Sequence, residues 1–108
     1  MAIAQAQVGL TITTIVPKPL AGSYANVGIF FCNYHATNTV VVQVYVSDET
    51  GAKDDDSHSI MRDLTLAPKE SYVLNVEKFL LDSTGGWSIN AKADTASAVV
   101  ATASYIAI

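Results

Sequence analysis

The acidic side chains of this chain are concentrated in one polar segment, Ser47–Ser59, with the sequence SDETGAKDDDSHS. Asp54–Asp56 are consecutive, and Asp48 and Glu49 precede them. Carboxylate oxygens are the ligands that Ca²⁺ prefers, but the segment lacks the ligand spacing and the glycine position of an EF-hand loop. Charge runs of this kind are typical of solvated loops. We therefore predict a long polar loop here and no metal site.

His35 and His58 are the only histidines of the chain and Cys32 is its only cysteine, and by composition alone a Ser-His-Asp triad stays open. No G-x-S-x-G elbow is present, and neither histidine lies near a recognisable nucleophile motif. Two histidines and one cysteine also give no zinc-ligand spacing, and a single cysteine cannot form an internal disulfide. Cys32, inside the apolar run FFCN, is most simply a small buried hydrophobe. We predict no enzyme, no cofactor and no small-molecule substrate.

The aromatic residues could offer a stacking platform for sugars. They are spread over several predicted strands, which favours packing in the core and at sheet edges instead. The residues concerned are Trp87 and the tyrosines Tyr24, Tyr34, Tyr45, Tyr72 and Tyr105.

The elements that must position these side chains are strands, and the clearest stretch runs from Val27 to Val46. Two apolar runs, VGIFFCN and TVVVQVYV, flank the polar link Tyr34–Asn38 and predict a central hairpin. In the second run the valines from Val40 to Val46 alternate with Thr39, Val41, Gln43 and Tyr45. Its second face is also half apolar, so we predict that both faces are covered.

Five further strands are predicted from alternation and turn residues: Gln7–Val16, Ile60–Leu66, Ser71–Val76, Trp87–Lys92 and Val99–Ile108. In the second of these, Ile60, Leu64 and Leu66 are expected to point inward, with Arg62 as an exception. Glu77–Leu81 could form one helical turn. About seven strands with regular turns predict an all-β fold, an antiparallel sandwich or small jelly roll. Residues 7–108 form one domain, with residues 1–6 as a possible arm.

The hydrophobic content and the charge of the chain indicate which classes of partner it can have. Half of the 108 residues are hydrophobic and only 15% are charged, which is apolar for a small domain and predicts that other subunits cover part of the surface. The net charge is −4 and the basic residues are scattered, so we expect no nucleic-acid binding. No signal peptide or membrane-spanning run is evident, so we expect synthesis in the cytoplasm and no membrane partner.

The terminal segments Met1–Ala6 and Val99–Ile108 are nearly uncharged and rich in Ala, Ile and Val. An exposed strand of this composition aggregates unless it is paired or covered. Two interpretations stay open: the last strand is central in its own sheet, or an arm or edge pairs with a neighbouring subunit. The polar links Tyr34–Asn38 and Ser47–Ser59 are further candidate contact surfaces. The candidate interface residues are Met1, Ile3, Tyr34, His35, Tyr105, Ile106 and Ile108.

Taken in order, five segments resemble a group of small structural proteins of tailed-bacteriophage particles: PLAGSYANVGIFFCN, TVVVQVYV, LAPKESYVL, LLDSTGGWSINAKA and VVATASYIAI. The similarity runs from about Val16 onward and is one of spacing rather than of a chemical motif. Two positions depart from the pattern. Gly85-Gly86 stands where a glycine–aspartate pair is expected, and Ala107 where an acidic residue is expected.

The resemblance implies a β-sandwich component of the virion, made in the host cytoplasm and placed on the capsid as a decoration or cement protein. Such proteins are often trimers that bridge capsomers, so the implied partners are the major capsid protein and copies of itself. A tail or neck component is the alternative within this class. A glycan-binding module using Trp87 or the tyrosines is the alternative from a different class.

Overall fold

The computed structural model describes residues 2–19, 21–47, 57, 59–74, 79–82 and 87–107. Within these ranges the chain forms nine strands and no α-helix. The strands are β1 (Ala2–Val8), β2 (Thr13–Val16), β3 (Ser23–Asn33), β4 (Val40–Ser47), β5 (Ser59–Leu66), β6 (Ser71–Leu74), β7 (Phe79–Asp82), β8 (Ser88–Ala93) and β9 (Val99–Ala107).

The strands form two antiparallel sheets that pack face to face. The front sheet has the order β1-β9-β3-β6, with β7 also paired to β3, and the back sheet has the order β2-β8-β4-β5. The chain changes sheet at every connection except β4–β5 and β6–β7. This is the strand order of a jelly roll. The predicted all-β antiparallel sandwich is confirmed, and the described residues contain nine strands where about seven were expected.

β6 and β7 lie end to end along one edge of β3. β6 pairs with Ile29–Cys32 and β7 with Ser23–Asn26. The β3–β9 register also shifts between Asn26 and Gly28, at the level where the pairing of β3 changes from β7 to β6. Counted as one interrupted edge strand, β6 and β7 give each sheet four strands across.

The core lies between the inner faces of the two sheets. Val40, Val42 and Val44 of β4 are fully buried and belong to one cluster with Ile29 and Phe31 of β3. Each such side chain contributes about 1.5–3 kcal/mol by leaving water. The predicted inner face of β4 is thus confirmed, and Tyr45 on its other face is also buried, at 1% exposure. β9 adds small inward residues, Ala101 and Ala103, which let the sheets approach closely.

The predicted strand Gln7–Val16 is two strands in different sheets. β1 ends at Val8 and β2 begins at Thr13, and Ala93 N donates a hydrogen bond to Gly9 O at 2.8 Å as the chain crosses over. Alternation continues through the corner, so periodicity alone did not reveal it. Gly9 was the available indication, because a glycine inside a strand pattern often marks a bend. Residues 2–6 of the possible arm belong to β1, which pairs along its whole length with β9.

The predicted orientation of Ile60 is wrong because β5 contains a bulge. Val42 pairs with Leu64 and Val44 with Met61, so two residues of β5 lie opposite one of β4. An extra residue reverses the faces of the strand beyond it. Met61 therefore packs on the core while Ile60 is exposed. Leu66 is buried as predicted.

Several predicted boundaries shift. β3 begins at Ser23 instead of Val27, and β8 spans Ser88–Ala93 in place of Trp87–Lys92. The predicted helical turn at Glu77–Leu81 is wrong over residues 79–81, which are part of strand β7; residues 77 and 78 lie outside the described residues, as do 75 and 76 of the predicted strand Ser71–Val76.

One buried amide joins the ends of three strands. Asn33, at the end of β3, is fully buried. Its Nδ2 donates to the main-chain oxygens of Asn38, Leu66 and Ala67 at 2.9, 3.0 and 3.1 Å. Its Oδ1 accepts from His35 N at 3.0 Å. Asn33 therefore fixes the link between β3 and β4 against the turn between β5 and β6.

In the turn Ala67–Glu70 the backbone of Lys69 is strained, and a substitution at this position can relieve the strain. Glu70 N donates to Ala67 O at 3.0 Å, and Lys69 has a φ of 65°. Proline at the second position and positive φ at the third define a type II turn, which favours glycine at the third position.

A Lys69→Gly variant is expected to be more stable by about 0.5–1 kcal/mol, because the left-handed cost exceeds the added entropy of glycine in the unfolded chain. Urea unfolding measures the difference. Lys69→Ala is the matched control, since it removes the same charge but keeps Cβ, and it should give no gain. Equal effects of the two variants would contradict the backbone explanation.

Candidate interaction surface

Along β1, β9, β3 and β6, the outer side of the front sheet lacks charge at every position that the pairings among these strands assign to it. On β7, at the end of the sheet, Asp82 pairs with Ser23. Along β9, Ala101 and Ala103 point inward and are buried, while Thr102 between them is half-buried on the outer side. Directly paired residues share a side of the sheet, so the register extends this assignment to the other strands. The resulting uncharged face consists of Ile3, Gln5, Gln7, Ala25, Gly28, Phe30, Cys32, Ser71, Val73, Val100, Thr102, Ser104 and Ile106.

Large apolar side chains on the uncharged face are open to solvent. Ile3 is 70% exposed, Phe30 50%, Val73 47% and Ile106 37%. Phe30 pairs with Val73 on one side and with Thr102 on the other, so these three form a continuous row across the sheet. Single exposed apolar residues are ordinary, but four large ones on one sheet face without charge are typical of a contact surface.

The polar groups of the uncharged face are all neutral and partly paired with one another. Gln5 Nε2 donates to Thr102 Oγ1 at 3.0 Å, and Gln7 Nε2 donates to the Tyr34 hydroxyl. A neutral amide or hydroxyl can be buried at an interface if it finds one hydrogen bond, whereas an unpaired charge costs far more. A partner could therefore desolvate this face at a lower cost than a charged surface.

The uncharged face has an open position near its middle. Gly28 pairs with Ser104 of β9, and a Cβ added at Gly28 would meet no atom within 4 Å. The glycine is thus not required by crowding within the fold.

The outer side of the back sheet has a different chemistry. At its centre Asn90 is fully buried. Its Nδ2 donates to Ser47 Oγ at 3.0 Å and to Ser88 Oγ at 3.1 Å, and its Oδ1 accepts from the Thr14 hydroxyl at 2.7 Å. This network satisfies its own members, so it holds β2, β8 and β4 in register and does not offer unpaired groups to a ligand.

Charged side chains also lie on the outer side of the back sheet. Asp63 Oδ1 accepts from Gln43 Nε2 at 3.3 Å, and Lys92 Nζ lies 6.0 Å from the Tyr45 ring centroid. A partner that covered this side would have to remove water from charges. Of the two outer sides, the front one is therefore the better docking surface.

A groove of about 390 Å³ lies at one end of the back sheet, lined by Leu10, Val41, Gln43, Lys92, Ala93 and Asp94. Asp94 Oδ1 accepts from Val41 N at 3.0 Å and from Thr95 Oγ1 at 3.2 Å. That carboxylate oxygen stabilises the loop after β8. Among the lining residues that the structure describes, Asp94 is the one carboxylate and there is no histidine, so these residues do not form an acid–base pair.

The predicted interface residues fall into separate places. Ile3 and Ile106 lie on the uncharged face, and Tyr34, 47% exposed, lies beside Gln7 at its edge. Tyr105 instead packs on the core, with its ring centroid 4.7 Å from that of Tyr24. Met1 and Ile108 lie outside the described residues.

His35 acts within its own loop. Its Nδ1 accepts hydrogen bonds from Thr37 N at 3.2 Å and Asn38 N at 3.0 Å. A nitrogen that accepts cannot carry the proton, so the ring proton of the neutral imidazole is on Nε2. The half-buried ring therefore shapes the β3–β4 link.

The structure does not bring the other candidate site residues together among those it describes. The acidic residues of the polar segment and His58 lie outside the described residues. Trp87 is 39% exposed and Tyr72 38%, while Tyr45 is buried between a lysine and a glutamine. Among the residues that the structure describes, no group of three or more His, Cys, Asp or Glu side chains could hold a metal ion.

Phe30, Val73 and Thr102 are surface residues that sequence reasoning missed. The pair Phe30-Phe31 lies in one apolar run, and alternation does not say which of two adjacent phenylalanines faces the core. The available indication was the lack of charge at alternate positions of three segments, Ala2–Val8, Gly28–Cys32 and Val100–Ile106.

Comparison with protein-family models finds no match, and comparison with curated protein sequences finds none either. In the part of the chain that the structure describes, no helix is long and apolar enough to cross a membrane.

Proposed function

We propose that this protein is a non-enzymatic structural subunit that assembles through its uncharged face. The observation that carries the proposal is that face itself, with Ile3, Phe30, Val73 and Ile106 exposed and no charge among its positions. A protein that worked alone in water would gain from charge here.

The setting we propose is a bacteriophage virion, in which the protein decorates the capsid and acts as a cement between capsomers. Its partners are then the major capsid protein and copies of itself. The spacing of five sequence segments supports this setting, and so does the jelly-roll order, which viral capsid proteins, lectins and cupins share. Fold alone does not specify a function, so the uncharged face is the main argument.

The mechanism is preferential binding to the assembled shell. A subunit that binds only the assembled state stabilises that state in proportion to its occupancy. Four strands across, spaced about 4.8 Å apart with about seven residues each, cover roughly 19 by 23 Å. That is about half of the 800 Å² that each partner contributes to a standard interface, so a loop or a sheet edge must add to the contact.

A single charge at the centre of the uncharged face tests the proposal. Thr102→Lys is expected to weaken binding to capsids assembled without the protein by at least about tenfold, because burying an unpaired ammonium is costly. Co-sedimentation with the capsids measures the affinity.

Thr65→Lys is the matched control, because Thr65 is exposed and pairs with Val41 on the outer side of the back sheet. It should bind like the original protein, and both variants should keep the original melting temperature. Equal binding by both variants would contradict docking through the uncharged face. If the original protein bound tails and not capsids, the subunit would instead be assigned to the tail or neck.

A further inference from the structure

The four edges of the sandwich differ in one respect: three of them are protected against pairing with another strand and the fourth is not. Exposed edges offer unpaired N–H and C=O groups, and natural sheets protect them with short strands, bulges, charges or proline. β1 forms one edge of the front sheet, and within the described residues it pairs only with β9.

The other edges carry protective features. β2 has four residues, a register shift between Thr14 and Val16, and Pro17 directly after it. β5 has its bulge and the exposed charges of Arg62 and Asp63. The edge opposite β1 is formed by β6 and β7, of four residues each, whose registers with β3 are offset from one another by two residues.

β1 has none of these features. Its seven residues, AIAQAQV, include no charge and no proline. Its register with β9 runs without a shift from Ala2–Tyr105 to Val8–Val99. A straight, uncharged edge of this length is a template for another strand.

We propose that β1 pairs antiparallel with β1 of a second copy of this chain, about a two-fold axis at Gln5. Full overlap of residues 2–8 places Gln5 opposite Gln5 of the second copy and Ile3 opposite its Gln7. The pairing joins two front sheets into one, through about six to eight main-chain hydrogen bonds.

The sequence of β1 suits a second copy in particular. With no charged residue in the strand, no like charges face each other across the two-fold axis. On the inner side the overlap brings Ala4 opposite Ala6, so no bulky pair crowds the junction. The two-fold axis pairs the two β1 edges with each other, and the offset β6–β7 edges at the outer ends disfavour further growth. The assembly therefore closes as a dimer and does not continue as a fibre.

This pairing deepens the self-association part of the proposed function and makes the two uncharged faces continuous across the junction. It is a two-fold contact, so it differs from the trimer that the phage resemblance implies. Its test uses the isolated protein, and its failure is therefore distinct from failure to bind capsids.

The test is cysteine cross-linking in a Cys32→Ser background of the full chain, with circular dichroism to confirm the fold of each variant. Under mild oxidation Gln5→Cys should give a disulfide-linked dimer in most chains, because directly opposite strand residues have the Cα separation that a disulfide requires. Ile3→Cys alone should not link to itself, since its copy would lie more than about 13 Å away along the strand. A mixture of Ile3→Cys and Gln7→Cys should link as a heterodimer.

Sedimentation of the original protein should show a dimer. A monomer at high concentration, a trimer, or stronger self-linking by Ile3→Cys than by Gln5→Cys would each overturn the pairing. Lack of linking in the isolated protein, with β1 amides protected from hydrogen exchange only on capsids, would assign the edge to a strand of the capsid protein instead.

Discussion

Replacing Asn33 with alanine is expected to lower the free energy of unfolding by about 3 kcal/mol or more. The variant removes the donor to three main-chain oxygens, those of Asn38, Leu66 and Ala67, and the acceptor of His35 N. Each lost bond is worth about 1 kcal/mol, and an oxygen left buried without a donor costs about 1–3 kcal/mol. For a domain of this size the melting temperature should fall by about 15 °C.

Asn33→Asp should be more damaging still, because it places a carboxylate against those same carbonyl oxygens. Asn38→Ala is the matched control. Asn38 is exposed and takes part in this network through its main-chain N and O atoms, so its truncation should change stability by less than about 0.5 kcal/mol. Thermal unfolding by circular dichroism measures all three variants. Similar melting temperatures for Asn33→Ala and Asn38→Ala would contradict the assigned role.

The second large effect separates two adjacent phenylalanines. Phe31 is fully buried in the core, whereas Phe30 is 50% exposed on the uncharged face. Phe31→Ala is expected to cost about 3–5 kcal/mol of stability through the cavity it leaves. Phe30→Ala should cost less than about 1 kcal/mol but should reduce capsid binding about tenfold or more, as expected for an aromatic side chain near the centre of an interface.

Urea unfolding and capsid co-sedimentation, made on both variants, give the two readouts. If Phe30→Ala destabilised the fold as much as Phe31→Ala, the outer side of the front sheet would be a second core. If Phe30→Ala bound capsids as the original protein does, Phe30 would lie outside the docking surface.

A strand can be predicted from the sequence when its inner and outer positions alternate regularly along its whole length. β4 is the example, because Val40, Val42 and Val44 alternate over its length and the structure buries all of them. The prediction fails where this alternation continues unchanged through a corner or a bulge of the backbone. Nothing in the alternation of residues 7–16 distinguishes one strand from two strands joined by a corner, and the bulge of β5 reverses the faces at Ile60 and Met61 without any change in composition.

The candidate surface was predictable only in part, for a physical reason. The sequence points to Ile3 and Ile106 because terminal segments without charge are conspicuous. Phe30 and Val73 were not, because an interface strand that is apolar on both sides has the same composition as a fully buried one. Asn33 was missed because its role depends on carbonyl oxygens from residues 38, 66 and 67, which only the fold brings together.

The position of β9 between β1 and β3 has a consequence for the speed of folding. Gln5 and Thr102, which share a hydrogen bond, are 97 residues apart in the chain, and at cellular synthesis rates the ribosome needs about 5–20 s to make that interval. During this time β1 has no partner, and β3 lacks one of its two neighbours. The front sheet therefore forms only after release of β9 from the ribosome, and its distant pairings predict folding in milliseconds to seconds. Until then β1, the edge strand with the least protection against aggregation, has no partner strand. The yield of folded protein in a cell should therefore depend on synthesis rate and chaperone supply more than on the stability of the folded domain.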